Sequence, residues 1–555
     1  MILARVGVFI LDVLIVCVAG AIVTIAATGG GSIVLGDQTI TAHSLRNPFV
    51  WFACLLVLRL LCRRVAPFLA VRSWDVSLAD RVALRWLDSF LAKLSAARAA
   101  DVWRICAVVS VLVVVLRLFL AWQHPGFFSG DDVEVQEMSF ARLFGWEWRA
   151  WDLRSPFFPM LVVYPVQATI HALGVSAPEH LVFAGRASVA VLSTLALPIL
   201  ASYLLRVSAP VAILSMLSLA WSSVWIHFGS TELPRPVSAA LVLAAFCALT
   251  RQGTRSALIA GAALGIAACL RFSEVVFVAA VACQLLWEKR YRDLTVTVLA
   301  SLTIAIAIQG VSDYLYRGSA FHSLNAIVDY TLVQRLSSRG YEPWWYYVVE
   351  IGAWTDWVVV ALACWGARQQ WRPAIWVLIP VMLLSALPHH EPRYLIPVLP
   401  FVAILAATGL WDLCKRFQKT GAGFATIGIG MLLLGSAVYQ WSLEPVPRHD
   451  TAVALARSLK QEIGTGPVLI EEPWRWGSHL YLGGEARLED ISTQGVNSGA
   501  LLRTEIPSRG GEWIALRRDS CARLDCAPIL ASLGYSLRVA DAGQPHDYVV
   551  FKRMR

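Results

Sequence analysis

The chain has 555 residues, 57% of them hydrophobic and only 15% charged, with a mean hydropathy of +0.61. A soluble domain carries about 25% charged residues, so this composition excludes a soluble enzyme and marks a polytopic membrane protein. The net charge of +9 is no sign of nucleic-acid affinity, because the basic residues cluster in short connections where they orient a chain in the bilayer.

Taken in order, spans of roughly 20 apolar residues are expected near 6–28 and 48–62. The first has a long apolar run and no clear cleavage site, which reads as an uncleaved span rather than a signal peptide. The connection 63–104 carries Arg63, Arg64, Arg72, Arg81, Arg85, Lys93, Arg98 and Arg104, a density that marks the cytoplasmic side. Leu84, Leu87, Leu91 and Leu94 recur there at helical spacing. Residues 80–98 therefore read as an amphipathic helix, lying either at the membrane interface or on the protein's own cytoplasmic face.

The span 105–122 then leads out to an unusual stretch, Gln123 to Pro159. It sets Asp131, Asp132, Glu134, Glu137 and Glu147 among Trp146, Trp148 and Trp151, and Arg154 follows. A plain connection between spans would be short and indifferent in composition. Acidic groups beside large aromatic faces suit a sugar, whose hydroxyls donate hydrogen bonds to carboxylates and whose C–H faces stack.

Short basic connections recur at Arg251 and Arg255, at Lys289, Arg290 and Arg292, at Arg368 and Arg372, and at Lys415, Arg416 and Lys419. All are assigned to the cytoplasm. That alternation requires the proline-rich segment 156–174 not to cross. Crossings are then expected near 182–205, 209–227, 234–250, 256–270, 273–287, 294–311, 346–366, 374–388, 394–414 and 422–441, about thirteen spans in all. The N terminus falls inside and the C terminus outside. Residues 229–236, 312–345 and 387–394 join the first loop on the outer face, which carries nearly all the non-basic polar clusters.

From Ser442 onward the composition is that of a small soluble domain. A helix is expected over 451–463 and strands over 467–472, 512–516, 536–540 and 547–552. The division is thus 1–102, two spans and a basic connection; 103–441, the membrane core with first outer loop 123–181; and 442–555, an extracytoplasmic α/β domain. Nine of the eleven cysteines lie in or beside apolar segments and read as small hydrophobes. Cys521 and Cys526 sit in a polar region, where a disulfide and two free thiols are equally compatible with the spacing.

Sugar transfer from a lipid phosphate needs one carboxylate to take the acceptor's proton and positive charge to stabilise the leaving phosphate. Asp131 is the first choice for the base with Asp132 beside it, although SGDD also reads as a helix N-cap. His389, His390, Glu391 and Arg393 form a second cluster between spans, with Arg393 suited to a phosphate. Alternatively, Arg393 is a snorkelling residue with a flanking Glu. Arg271 is a further phosphate candidate, though a mutual ion pair with Glu274 at i, i+3 explains both residues more simply. Glu134, Trp146, Glu147, Trp148 and Arg154 are candidate sugar contacts, the tryptophans otherwise belonging to an interfacial belt. As a zinc site the adjacent histidines are weak, because they point apart on a helix.

These motifs resemble the dolichol-phosphate-mannose-dependent α-mannosyltransferases that extend glycosylphosphatidylinositol and N-glycan precursors. That family carries Pro-Asp-Glu, Trp-Glu-Trp, Arg-Ser and His-Lys-Glu-x-Arg-Phe-Leu, similar here to Gly130-Asp131-Asp132, Trp146-Glu147-Trp148, Arg154-Ser155 and His389-His390-Glu391-Pro392-Arg393-Tyr394-Leu395. Weaker echoes are Ser230 to Pro234 and the run from Asp313 to Asn325. The resemblance spans about 103–414. It implies a GT-C fold, inverting transfer of a sugar (mannose first) from a polyprenyl-phosphate donor, no metal or other cofactor, and Asp131 in the family's acidic position. Gly130 for Pro, Asp132 for Glu and His390 for Lys leave the sugar and the acceptor open. The expected partners are the lipid-linked donor, a glycan or lipid-linked acceptor and membrane lipids, in an inner, plasma or endoplasmic-reticulum membrane. Competing readings are a GT-C enzyme that places another sugar on protein or a lipid A-like acceptor, and a flippase for a polyprenyl-linked glycan.

Overall fold

The structure, a computed structural model, describes residues 31–35, 38–42, 88–147, 150–335, 342–387, 389–420, 446–491, 500–539 and 547–554, with single positions in 14–18, at 85 and in 430–441. The expected spans 6–28, 48–62 and 422–441 lie largely outside the described residues, as do Leu84, Leu87 and Trp148. Ahead of the core, β1 (Gly31–Leu35) and β2 (Gln38–Ala42) form an antiparallel hairpin. Its strands are rich in the β-branched residues that favour strands.

Four described helical segments are long and apolar enough to cross a bilayer: Ala99–Gln123, Pro178–Leu204, Tyr291–Arg317 and Pro392–Arg416. Shorter apolar helices fill the space between them, among them Ala209–Trp221, Arg235–Leu249, Thr254–Leu270 and Trp371–Ser385. The helix Ala99–Gln123 turns Val108, Val111, Leu112, Val115 and Phe119 outward, as a lipid-facing stripe would. On its inner side Arg117 is fully buried and donates to Ser193 Oγ at 2.7 Å, Thr194 Oγ1 at 2.9 Å and the Trp225 carbonyl at 2.8 Å. A buried ionisable group in such a helix is tolerable only with partners of this kind.

The expected span 346–366 is not one straight helix. Tyr346–Thr355 and Trp357–Ala367 meet at 108°. Asp356, at a φ of 72°, breaks the first segment and caps the second by accepting from Val358 N–H at 2.9 Å. Hydropathy is blind to such a break, because both halves are apolar. Helix 357–367 then packs on Leu399–Thr420 through two glycines. A Cβ on Gly366 would lie 2.0 Å from the Leu405 carbonyl oxygen, and one on Gly409 2.1 Å from that of Leu362. Small residues let helix backbones approach this closely.

Segment 159–172 is one π-helical turn followed by Tyr164–Ala172, roughly 21 Å at 1.5 Å per residue, short of the roughly 30 Å hydrocarbon core. Of the expected amphipathic helix, Leu91 is buried with Cys414 against Leu410 and Trp411. At this position the helix is packed on the protein itself.

The C-terminal region folds as a five-stranded sheet in the order β4-β3-β5-β7-β6. Its strands are β3 (Pro467–Ile470), β4 (Arg487–Asp490), β5 (Trp513–Arg517), β6 (Tyr535–Val539) and β7 (Tyr548–Arg553). β3 pairs parallel with β4 and β5, and β7 runs antiparallel to β5 and β6. β4 escapes sequence reading because RLED has no buried alternation. Helix Asp450–Ile463 buries the stripe Ala452, Val453, Leu455, Ala456, Leu459 and Ile463, the helical period of an amphipathic helix. Cys521 and Cys526 are disulfide-bonded, with Cα atoms 4.8 Å apart.

Gly409→Val should cost about 1–3 kcal/mol through overpacking. A thermal-unfolding scan of the detergent-solubilised protein should show a clearly lowered midpoint, and an unchanged midpoint would contradict the close helix contact.

Candidate active site

Helix Gly130–Phe144 starts at Ser129 and carries both aspartates in its first turn. The two diverge. Asp132 turns back to the helix start, where its Oδ1 accepts from Ser129 Oγ at 2.8 Å and its Oδ2 from Phe128 N–H at 3.3 Å. The capping reading of SGDD does not hold: both aspartates lie inside the first helical turn, and the side chain of the N-cap residue Ser129 makes no capping bond. Asp131 faces the other way, into three guanidinium groups drawn from distant parts of the chain. Arg271 Nη2 and Arg393 Nη2 each lie 2.9 Å from its Oδ2, and Arg154 Nη2 donates to its Oδ1.

Two further carboxylates hold this ring from behind. Glu134 accepts from Arg154 Nε, and Glu391 accepts from Arg393 Nε and, at 2.7 Å, from Arg393 Nη2. Three arginines thus face three carboxylates. Arg393 also donates to Ser129 Oγ at 3.3 Å, which links the ring to Asp132. Burial alone would push the Asp131 carboxyl up, but Arg154, Arg393 and Arg271 outweigh it and hold it well below the usual carboxylate range. Asp132 goes the opposite way: burial first, then the charge of Glu232, pushes it up to about 7.

The remaining candidates divide. His389 lies 3.5 Å from Glu391 Oε1, at the edge of the ring. His390 points away, its ring against Tyr346 and Tyr347 and its Nε2 3.4 Å from the Ser385 carbonyl, so it adds no donor to the cluster. Arg271 does not pair with Glu274. Glu274 instead meets Arg235 at 3.6 Å and Ser238 Oγ at 3.1 Å; Arg271 is extended, ahead of the short 3-10 turn Phe272–Val275 that carries Glu274. Trp146 is not brought to the ring either. It follows the far end of the helix from Asp131, about 20 Å along the axis, and packs on Phe140, Phe144 and Gly484. Glu147 beside it is exposed.

Several positioning residues escape sequence reading. Arg317 donates to the carbonyls of Trp151 at 2.8 Å and Arg154 at 3.1 Å and to Asp152 at 2.9 Å, which fixes the backbone that presents Arg154. Arg186 pairs with Glu232 at 2.9 Å and donates to the carbonyls of His124 and Gly126, fixing the approach to Ser129. Glu137 accepts from His479 N–H and faces its Nδ1, each at 3.0 Å, which ties the C-terminal sheet domain to the acidic helix. An arginine beside a weak family echo (Arg317 and Gly318 within 313–325) was the one available sign of the first. Glu137 and Glu232 lie in stretches the sequence singles out, but their partners are 342 and 46 positions away, and no local spacing announces the pairing. Among the described residues, no three His, Cys, Asp or Glu side chains converge as a metal ion would require.

The fold is that of the GT-C membrane glycosyltransferases. ArnT from Cupriavidus metallidurans, in its crystal structure bound to undecaprenyl phosphate, superimposes with a TM-score of 0.57 at 13% identity, over 80% of this chain and 97% of that one. The oligosaccharyltransferase of Archaeoglobus fulgidus gives 0.52 at 10% identity, over 80% and 72%, and the mycobacterial arabinofuranosyltransferase AftD gives 0.51 at 13%, over 81% and 40%. In sequence, residues 133–465 match the Alg9-like mannosyltransferase family, and the chain belongs to that family. Two undecaprenyl phosphate-alpha-4-amino-4-deoxy-L-arabinose arabinosyl transferases of Pseudomonas fluorescens are also similar. One, from strain Pf0-1, is 24% identical over 30% of this chain and 33% of its own length; the other, from strain ATCC BAA-477, is 26% identical over 35% and 40%. The matched region thus spans about a third of the length of the curated relatives.

The Asp132 environment has a testable consequence. A carboxyl raised by folding keeps its proton in the native state after the unfolded chain has lost it, so its contribution lowers stability as pH rises from 3.8 to about 7. Asp132→Asn should flatten that slope, so its melting temperature should fall less than that of the parent between about pH 4 and pH 7. Parallel slopes would contradict the assignment.

Proposed function

We propose that this protein is an inverting glycosyltransferase that moves a sugar, mannose in the first reading, from a polyprenyl-phosphate donor to a lipid-linked or cell-envelope glycan. The observation that carries the reading is the convergence of Asp131 with Arg154, Arg271 and Arg393. In the proposed step an acceptor hydroxyl oxygen attacks the anomeric carbon from the face opposite the phosphate, and Asp131 takes its proton. The bond from that carbon to the phosphate oxygen breaks, and its electron pair leaves with polyprenyl phosphate. The leaving phosphate gains a second negative charge as the bond opens, and the guanidiniums stabilise it. Glu134 and Glu391 hold Arg154 and Arg393 in place.

An apolar cavity of about 420 Å³ supports a lipid carrier. It is lined by Leu217, Trp221, Trp354, Val402 and Ala406 among others. Its rim residue Trp354 leads through Phe228 to Phe128 by ring contacts of 5.6 and 5.7 Å, next to Ser129 of the site.

The site faces the non-cytoplasmic side in this reading, with about thirteen spans, the N terminus inside and 442–555 outside as its own domain. Supporting this, the basic connections gather at one end. Arg290 donates to the carbonyls of Leu249 and Arg251, and Arg372 meets Glu288 at 2.7 Å. Arg271 and the ring lie beyond the other end of Thr254–Leu270, about 25 Å away along that helix. Polar chemistry gathered at one end also favours an enzyme over a flippase, which would need ionisable groups along its whole path.

A second reading is transfer of another sugar, such as an aminoarabinose, to a lipid A-like or protein acceptor; the similarity to the Pseudomonas arabinosyl transferases favours it. Incubating the purified protein with a panel of polyprenyl-phosphate sugars separates the two: consumption of the mannosyl donor is expected, and consumption of the aminoarabinosyl donor alone would install the second reading. Asp131→Asn should reduce turnover at least a hundredfold, in line with general-base loss of about 10²–10⁴. Arg393→Ala should raise KM for the donor far more than for the acceptor. A fully active Asp131→Asn variant would refute the assigned base.

A further inference from the structure

On the strength of the glycosyl-transfer reading above, we propose that the Asp131 carboxylate occupies the position that the donor's phosphate takes during turnover, so that donor binding itself releases the base. Three guanidiniums on one carboxylate form an anion site already filled by a side chain. Arg271 and Arg393 share Oδ2 at 2.9 Å each, and Arg154 takes Oδ1. Guanidinium forks match carboxylate and phosphate oxygens alike.

Three further observations fit an exchange of anions here. Glu134 and Glu391 anchor Arg154 and Arg393 independently of Asp131, so these guanidiniums stay aimed when Asp131 leaves. A phosphodiester carries one negative charge, as the carboxylate does, so it can replace Asp131 as the third anion bound to the three arginines. Access lies on one side: the side chains of Arg154 and Arg271 keep 19% and 17% of their surface exposed, against 6% for Arg393.

The exchange resolves a conflict in the site. A carboxylate pinned by three cations is a poor proton acceptor, yet the reaction needs one. Once the phosphodiester takes the guanidiniums, Asp131 loses its cationic partners and becomes an ordinary carboxylate beside the anomeric carbon. It can then take the acceptor's proton while the departing phosphate draws the guanidiniums more tightly. Acceptor activation therefore waits for the donor.

The test uses undecaprenyl phosphate as the probe, with binding measured on the purified full chain and on Asp131→Asn. Phosphate binding away from the Asp131 arginines predicts equal affinity. Exchange predicts that the variant, relieved of its internal competitor, binds undecaprenyl phosphate tenfold or more tightly while transfer is lost. Unchanged or weaker binding, with the parent protein turning over, overturns the exchange alone. Tighter binding without turnover of any donor by the parent keeps the exchange and overturns the transfer reading. Should Asp131→Asn not fold, a structure of the parent protein with undecaprenyl phosphate decides. Phosphorus between Arg271 and Arg393 with Asp131 turned away is expected, and phosphate bound elsewhere with Asp131 still on all three arginines overturns it.

Discussion

One carboxylate binds four separate stretches of the chain together. Asp131 belongs to the acidic helix, Arg154 to the loop after it, Arg271 to the turn between two apolar helices, and Arg393 to the 3-10 segment that opens helix 399–420. Desolvating so many charges is expensive. The cluster is tolerable because three guanidiniums meet three carboxylates. Removing one member of such a group leaves a buried charge uncompensated, at roughly 3–5 kcal/mol. The ring is therefore a structural junction as well as a candidate site, and the geometry of one is fixed by the other.

The surrounding structure serves to hold that junction still. Arg186 and Glu232 brace the backbone ahead of Ser129, and Arg317 grips the loop that carries Arg154. The sheet domain adds its own hold through His479 on Glu137 and through Asp450, which accepts from Gly126 N–H at 2.6 Å. Its core is continuous with that of the acidic helix: Phe127, Val133 and Phe140 are buried in one cluster with Leu455, Trp476 and Tyr481. The C-terminal sheet region is thus packed directly onto the helix that carries Asp131.

Much of this was legible in the sequence, and the failures have physical reasons. The class of protein followed from composition, and the meeting of Asp131 with Arg393 followed from two motifs 262 positions apart. The sheet domain was visible in its strand and helix periods except for polar β4. Sequence spacing misled where it implied a local partner. Arg271 and Glu274 sit at ion-pair spacing, yet each found a partner elsewhere, because Arg271 is in extended backbone ahead of the short turn that carries Glu274. Adjacent His389 and His390 face opposite surroundings. Trp146 read as a sugar contact from its neighbours but is consumed by packing against Gly484. The bend at Asp356 left no trace in hydropathy.

The central claim is that a lipid-linked phosphate binds directly to guanidiniums brought together from distant segments. A rotational-echo NMR distance measurement between the phosphorus of bound polyprenyl phosphate and ¹⁵N-labelled arginine side chains addresses it directly. Strong dephasing that places phosphorus within hydrogen-bonding reach of arginine nitrogen is the predicted result. Phosphate that binds with no dephasing from any arginine would contradict the account.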